Sequence, residues 1–82
     1  MRLDKFLKVS RIILRRSVAN KLADHNLVYV NDKQVKPSYI VKIGDVIKVV
    51  LGTHYKIYEV VDIKEFANKE NASKLIKEIE IK

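Results

Sequence analysis

The spacing of apolar residues near the N-terminus predicts two short amphipathic helices. Over residues 3–11, apolar and small side chains recur on one helical face, while lysines project from the opposite face. Residues 12–14 interrupt this face and predict a turn, after which Ser17 is the expected N-cap of a second helix that ends near His25 and Asn26. The predicted buried stripes are Leu3, Phe6, Leu7 and Ser10 in the first helix, and Val18, Ala19, Leu22 and Ala23 in the second.

After the second helix the apolar period changes from 3.6 to 2, which predicts antiparallel strands. Val28, Val30 and Val35 flank a polar turn that begins with Asn31 and Asp32, a pattern typical of a short hairpin. A Gly-Asp pair at 44–45 predicts a tight turn into the apolar run 46–51. A second turn at 52–54 then returns the chain as an alternating strand over residues 55–63.

The C-terminal segment has two interpretations. From Asn68 onward, Ala72, Leu75, Ile76 and Ile79 follow helical spacing, which favours a closing helix. Residues 78–81 alternate between charged and apolar side chains and are equally compatible with extended backbone. We therefore predict an α+β fold in which two N-terminal helices pack on a small curved antiparallel sheet, with a short C-terminal helix.

Length and composition exclude several classes of protein. With 82 residues there is room for one domain, and the absence of cysteine excludes disulfides and thiolate metal sites. No apolar run approaches the length of a membrane span, and patterned sequence begins directly at Met1, so we expect neither a membrane anchor nor a signal peptide. These features favour a cytoplasmic protein.

The distribution of charge along the sequence is the feature that says most about function. The net charge is +7, and residues 1–21 carry seven cations against one acid, Asp4, so that nearly all of the excess lies there. All four arginines fall within the first sixteen positions. Because the guanidinium group is a planar fork of donors that fits phosphate oxygens, this segregation indicates a polyanionic partner such as nucleic acid.

A family resemblance rests on several segments in a fixed order. They are Arg2-Leu3-Asp4-Lys5-Phe6-Leu7, Ser10-Arg11, Ser17-Val18-Ala19, Val28-Tyr29-Val30-Asn31, Pro37-Ser38, and Val41-Lys42-Ile43-Gly44-Asp45-Val46-Ile47-Lys48-Val49. Together they resemble the RNA-binding domain first seen in small-subunit ribosomal protein four. The resemblance assigns residues 1–50 to that domain, with residues 51–82 as a strand-plus-helix extension of it. Family members often carry Asn-Gly in the hairpin turn, where this chain has Asn31-Asp32.

The opening residues and the short extension look most like the stand-alone bacterial groups of this family, the RqcP group and the heat-shock-protein-fifteen group. The resemblance implies an rRNA- and tRNA-binding protein of ribosome-associated quality control. Such a protein binds large ribosomal subunits that carry stalled peptidyl-tRNA, and it stabilises the tRNA during alanine tailing driven by the partner RqcH. We expect a monomer, and a recycling role of the heat-shock-protein-fifteen kind is the nearest alternative.

The candidate RNA-binding residues are cations of the first helix and of the turn after it. Arg2 and Arg16 rank first because both match the family motif and both are expected at the edges of the helical pair. Each is also compatible with a plain surface salt bridge. Lys21 is expected to contribute only peripherally. The remaining candidates, in decreasing order, are Arg11, Arg15, Lys5 and Lys8.

The sequence favours a binding protein over an enzyme. It has no cysteine nucleophile and no glycine-rich phosphate loop, and His25 and His54 lack metal-ligand spacing, so we expect no cofactor and no metal. Two other functions remain open. One is a duplex-DNA-binding module that uses the second helix for recognition, and the other is a protein-interaction module that recruits a partner through a sheet edge.

Overall fold

The computed structural model describes residues 1–79, which form three helices and one five-stranded antiparallel sheet. The strand order is β2-β1-β3-β4-β5. No helix in residues 1–79 is long and apolar enough to cross a membrane. In chain order the elements are α1 (Leu3–Val9), α2 (Arg16–Asp24), β1 (Val28–Val30), β2 (Lys33–Gln34), β3 (Val46–Leu51), β4 (His54–Val60), α3 (Lys69–Ala72) and β5 (Ile76–Ile79).

One hydrophobic core joins the two N-terminal helices to one face of the sheet. Phe6 and Leu7 of α1 are fully buried with Ala19 and Ala23 of α2. Alternate residues of the central strands complete this core, as the period of 2 requires. The predicted α+β fold is confirmed. The strand contributions to the core are Val28 and Val30 from β1, Ile47 and Val49 from β3, and Val60 from β4.

The N-terminus is fixed by backbone pairing with the segment before β3. The Leu3 amide donates to the Tyr39 carbonyl at 2.7 Å, and the Val41 amide donates to the Met1 carbonyl at 2.9 Å. Arg2 lies between these two bonds and is the N-cap residue of α1, with extended backbone. Arg2 therefore has a defined position against the rest of the domain, although it is only the second residue of the sequence.

The helix boundaries differ from the predicted ones near the connection between α1 and α2. Helix α1 ends at Val9 because Arg11 adopts a left-handed backbone with φ of 63°, and the Ile13 amide bonds back to the Leu7 carbonyl. The expectation that Ser17 caps α2 is wrong. Arg15 is the N-cap, without a side-chain cap bond, and its carbonyl already accepts the Ala19 amide, which places Ser17 inside the helix.

Val18 was predicted in the buried stripe of α2 and is instead 43% exposed. The other residues of the predicted stripe are buried as expected. Ala19 and Ala23 are fully buried, and Leu22 packs against the core as a partly buried residue. The face of α2 that contacts the core is therefore narrower than the sequence pattern predicts.

The predicted hairpin is present and closes through a two-residue turn. Asn31 and Asp32 both have positive φ, 52° and 67°, and Val30 pairs with Lys33. This is the backbone of a type I′ turn. The Asn31 side chain also joins the turn to β3, because its Nδ2 donates to Asp45 at 3.1 Å and its Oδ1 accepts the Val46 amide at 3.0 Å.

Replacing Asp32 with Gly is expected to raise the free energy of unfolding by about 0.5–1 kcal/mol, because glycine adopts positive φ without the steric cost that a Cβ imposes. Urea denaturation measures the change as a higher midpoint at an unchanged m-value. Asp32→Ala is the matched control, since it removes the same charge but keeps a Cβ, and it should give no gain. An equal gain from both variants would mean that charge, rather than backbone conformation, limits the turn.

The C-terminal helix predicted from Asn68 onward is present for only one turn. Asn68 caps α3 by accepting the Asn71 amide at 2.8 Å, and Ala72 and Leu75 are buried as expected. Ile76–Ile79 is a strand, which contradicts the helical interpretation there and agrees with the extended one. The reason lies in tertiary contacts. β5 pairs with residues 57–60 of β4 and so provides hydrogen-bond partners for a strand edge that would otherwise be unpaired. Residues 80–82 lie outside the described residues.

Candidate nucleic-acid interface

A buried carboxylate organises the N-terminal end of the helical pair. Asp4 lies in the first turn of α1 and is only 3% exposed. Its Oδ1 accepts the backbone amide of Lys5 at 2.8 Å. The guanidinium group of Arg2 contacts both oxygens, with Nε 3.3 Å from Oδ1 and Nη2 3.3 Å from Oδ2. This two-point contact fixes the plane of the Arg2 guanidinium group.

Helix α2 contributes two further donors to the same carboxylate. Arg16 Nη2 lies 3.5 Å from Oδ1 of Asp4, and Asn20 Nδ2 donates to Oδ2 at 3.2 Å. The two positions are one helical turn apart, so both side chains project from one face of α2. Asp4 therefore links α1 to α2 and holds two arginine side chains side by side.

Both guanidinium groups keep much of their surface available to a ligand. The Arg2 and Arg16 side chains are 48% and 49% exposed, although each contacts a buried anion. They border a shallow cavity of about 480 Å³. Because one carboxylate faces two guanidinium groups, this surface has a net positive charge. The cavity is lined by Arg2, Asp4, Arg16, Ser17, Asn20 and Lys21.

The ionisation of Asp4 is secured by its neighbours. Burial on its own raises the pKa of the Asp4 carboxyl group. The hydrogen bonds from Asn20 and from the Lys5 amide, together with the charges of Arg16 and Arg2, outweigh burial and lower the pKa below its usual value. Asp4 is therefore an anion at neutral pH and remains available to orient both arginines.

A second group of cations lies at the other end of α1. Lys8 and Arg11 border a cavity of about 580 Å³ together with Leu14 and the segment from Glu65 to Asn71. Lys5 is ion-paired with Glu65 in this region, and its Nζ lies 5.7 Å from the centroid of the Phe66 ring. The hydrogen bond and the charge of Lys5 lower the pKa of the exposed Glu65 carboxyl group.

The structure thus divides the six candidate cations rather than gathering them at one point. Arg2 and Arg16 meet at Asp4, and Lys8 and Arg11 share the second cavity. Lys5 is ion-paired with Glu65, and its predicted contact with phosphate remains a prediction. Arg15 is exposed as the N-cap residue of α2 and makes no ion pair with any residue of the described range 1–79.

Sequence reasoning overlooked three side chains at these surfaces. From sequence, Asp4 stands out only as the one acid among residues 1–21 and Asn20 is not singled out, whereas both belong to the network that orients the arginines. Phe66 was not singled out, although it is 87% exposed beside two cations. An isolated aromatic residue in a polar stretch was the only sequence signal for Phe66.

Three of the four tyrosines have side-chain partners. Tyr39 donates its hydroxyl proton to Asp45 at 2.8 Å. Burial, together with that carboxylate, raises the pKa of Tyr39. The Lys48 Nζ lies 5.4 Å from the Tyr29 ring centroid and 4.6 Å from the Tyr55 ring centroid. Lys48 therefore lies over one face of each of these two rings.

More than half of the chain matches a known family of protein domains. Residues 1–47 match the S4 domain family, a region that spans α1, α2, β1, β2 and the first two residues of β3. The chain belongs to this family of RNA-binding domains, as its sequence motifs predicted, and the family is not enzymatic.

Within the family, the chain is similar to several RQC P-site tRNA stabilizing factors. The chain is 43% identical over 75 residues to the factor of Bacillus subtilis, covering 92% of this chain and 87% of that protein. It is 41% identical over 73 residues to the factor of Streptococcus pneumoniae, covering 89% and 83%. The predicted resemblance to the RqcP group is confirmed.

A solved structure supports the predicted resemblance to the second group. The trimeric structure of Vibrio cholerae Heat Shock Protein 15 matches this chain with a TM-score of 0.88 and 30% sequence identity. The match covers 96% of this chain and 81% of that protein. The arrangement of helices and sheet is therefore shared by this chain and that protein.

Proposed function

We propose that this protein binds large ribosomal subunits that carry stalled peptidyl-tRNA and stabilises the tRNA at the P site. The observation that supports this most strongly is the pair of arginines oriented by Asp4, in a chain about 40% identical to RQC P-site tRNA stabilizing factors. Two guanidinium groups held side by side offer several donors to the phosphate oxygens of a nucleic-acid backbone.

In this proposal Arg2 and Arg16 make the main phosphate contacts, and Lys8, Arg11 and Arg15 extend the contact along structured RNA. Lys5 takes part mainly through its ion pair with Glu65. The contacted RNA is large-subunit rRNA together with tRNA. The protein acts as a monomer, and tRNA stabilisation serves alanine tailing by a partner of the RqcH type.

Co-sedimentation with purified large subunits tests the proposal directly. The protein is expected to bind subunits that carry peptidyl-tRNA more tightly than vacant subunits, because only the loaded subunits present both RNAs. Equal affinity for both would retain rRNA binding and remove the tRNA contact. Absence of binding to either would contradict the proposal and favour the duplex-DNA alternative, which a competition between structured RNA and duplex DNA then resolves.

A role of the heat-shock-protein-fifteen kind is the second candidate, and the close structural match favours it specifically. The two candidates differ in the reaction that follows binding. Alanine tailing of the nascent chain, reconstituted with RqcH, should increase when this protein is added if it is a tRNA-stabilising factor. Unchanged tailing, with subunit binding intact, would favour the recycling role.

A further inference from the structure

Phe66 is the most solvent-exposed large apolar side chain among the described residues. It is 87% exposed, which is unusual for a phenylalanine because its ring gains free energy when removed from water. The ring nevertheless lies beside a cation. The Lys5 Nζ lies 5.7 Å from the ring centroid, and Lys5 is itself fixed by its ion pair with Glu65. One face of the ring is thus supported by a cation while most of its surface remains accessible.

The cavity beside Phe66 has the size and the chemistry of a nucleotide site. Its volume is about 580 Å³, and the exposed cations Lys8 and Arg11 border it. Neither cation forms an ion pair with another residue of the range 1–79. Asn68 and Asn71 add amide side chains to the wall. The Asn68 oxygen caps α3, and the other amide groups of this pair can exchange hydrogen bonds with the edges of a base.

We propose that this cavity binds one unpaired nucleotide of the RNA to which the protein is bound, with its base stacked on Phe66. In this arrangement Lys8 and Arg11 contact the phosphates on either side of the base. Every base has an aromatic face, so the stack requires an unpaired nucleotide but no particular base. This inference rests on the proposed RNA-binding function and extends it to a second contact, at the end of α1 opposite Arg2.

The charges around Phe66 favour RNA over a protein partner. Leu14, which is 74% exposed, is the only other large exposed apolar side chain at this cavity, and two side chains form too small an apolar surface for a stable protein interface. Free cations at the border are also unfavourable in the centre of such an interface, where charged residues are depleted. The same cations are the ordinary partners of phosphate groups.

Phe66→Leu is expected to weaken binding to subunits that carry peptidyl-tRNA by about five- to 100-fold, the range typical of losing one base–aromatic stack. Phe66→Tyr keeps the ring and should bind within about twofold of the wild type. Neither variant should change the melting temperature, because the side chain lies almost entirely in solvent. The loss should be the same at low and high salt, since stacking neutralises no phosphate.

A fluorescent variant gives a second measurement that does not depend on the ribosome. The chain contains no tryptophan, so Phe66→Trp introduces a single indole reporter. Its fluorescence should be quenched when deproteinised rRNA and tRNA are added, because the indole ring stacks on a base. Tyr55→Trp is the matched control on the sheet, and it should not be quenched.

The outcomes separate this inference from the proposed function. If Phe66→Leu binds loaded subunits like the wild type, the stacking site is overturned while the proposed function stands. If loaded subunits are not bound at all but the Phe66 reporter is quenched by RNA, the proposed function fails and the stacking site stands. If Phe66→Leu loses affinity for subunits and the reporter is not quenched by deproteinised RNA, the cavity contacts a protein and the inference is wrong.

Discussion

Replacing Arg2 and Arg16 together with alanine is expected to weaken binding to subunits that carry peptidyl-tRNA by about 100-fold or more at physiological salt. Each guanidinium group is about half exposed and oriented before RNA arrives, so little side-chain entropy is lost when a phosphate binds. A charge-assisted hydrogen bond contributes about 1.5–3 kcal/mol, and two such contacts account for the predicted loss. Co-sedimentation over a range of salt concentrations measures it.

Salt dependence distinguishes lost contacts from general damage to the fold. Removing two phosphate contacts should make the slope of log affinity against log salt less steep by about 1.5–2. The matched control is Lys33→Ala with Lys56→Ala, which removes the same two charges from the sheet. The control should change the slope by less than about 0.5. Equal losses from both double variants would mean that net charge alone determines affinity, and the interface at Asp4 would be refuted.

Much of the fold could be predicted because its determinants are local. The periodicity of α1 and α2 and the turn at Asn31 and Asp32 all lie within short stretches of sequence. The end of the chain could not be predicted in the same way. Residues 76–79 fit a helical period, yet they form β5 because the edge of β4 offers backbone hydrogen bonds that a helix at this position would leave unmade.

The candidate site, like the fold, could be predicted from sequence only in part. The arginines could be selected from sequence, because four of them crowd into the first sixteen positions and match a family motif. Their division between two surfaces could not be predicted, since it depends on a contact between Asp4 and residues 12 and 16 positions further along the chain. The role of Phe66 was still harder to predict, because its partner Lys5 lies about sixty residues earlier in the sequence.

The placement of Asp4 also explains how two like charges share one small surface. Two guanidinium groups at a helix junction would repel each other if nothing separated them. The Asp4 carboxylate lies between them, and the backbone amide of Lys5 and the side chain of Asn20 satisfy its remaining hydrogen-bonding capacity. The anion thus reduces the repulsion without covering the exposed sides of the arginines, where a phosphate would approach.

Replacing Asp4 with Asn is expected to weaken binding to loaded subunits about tenfold, although it raises the net charge from +7 to +8. A model based on total charge predicts the opposite, since a more basic protein should bind RNA more tightly. The loss is expected because asparagine offers one acceptor oxygen and presents an amide group to donors that need an acceptor. Arg2 and Arg16 would then lose their fixed orientation. Fluorescence anisotropy with labelled protein measures the affinity.

Acid unfolding provides an independent measurement on Asp4→Asn. Because the pKa of Asp4 is lowered in the folded state, its contribution to stability is fully present above about pH 4, the usual value for aspartate, and is lost as the pH falls below it. The variant should be less stable at neutral pH by about 1–3 kcal/mol, as expected for a buried network with missing acceptors, and less sensitive to acid than the wild type. Asp24→Asn adds the same charge at the exposed end of α2 and should change neither property. If Asp4→Asn binds as tightly as Asp24→Asn, the arginines need no anchor, and Asp4 serves only to join the two helices.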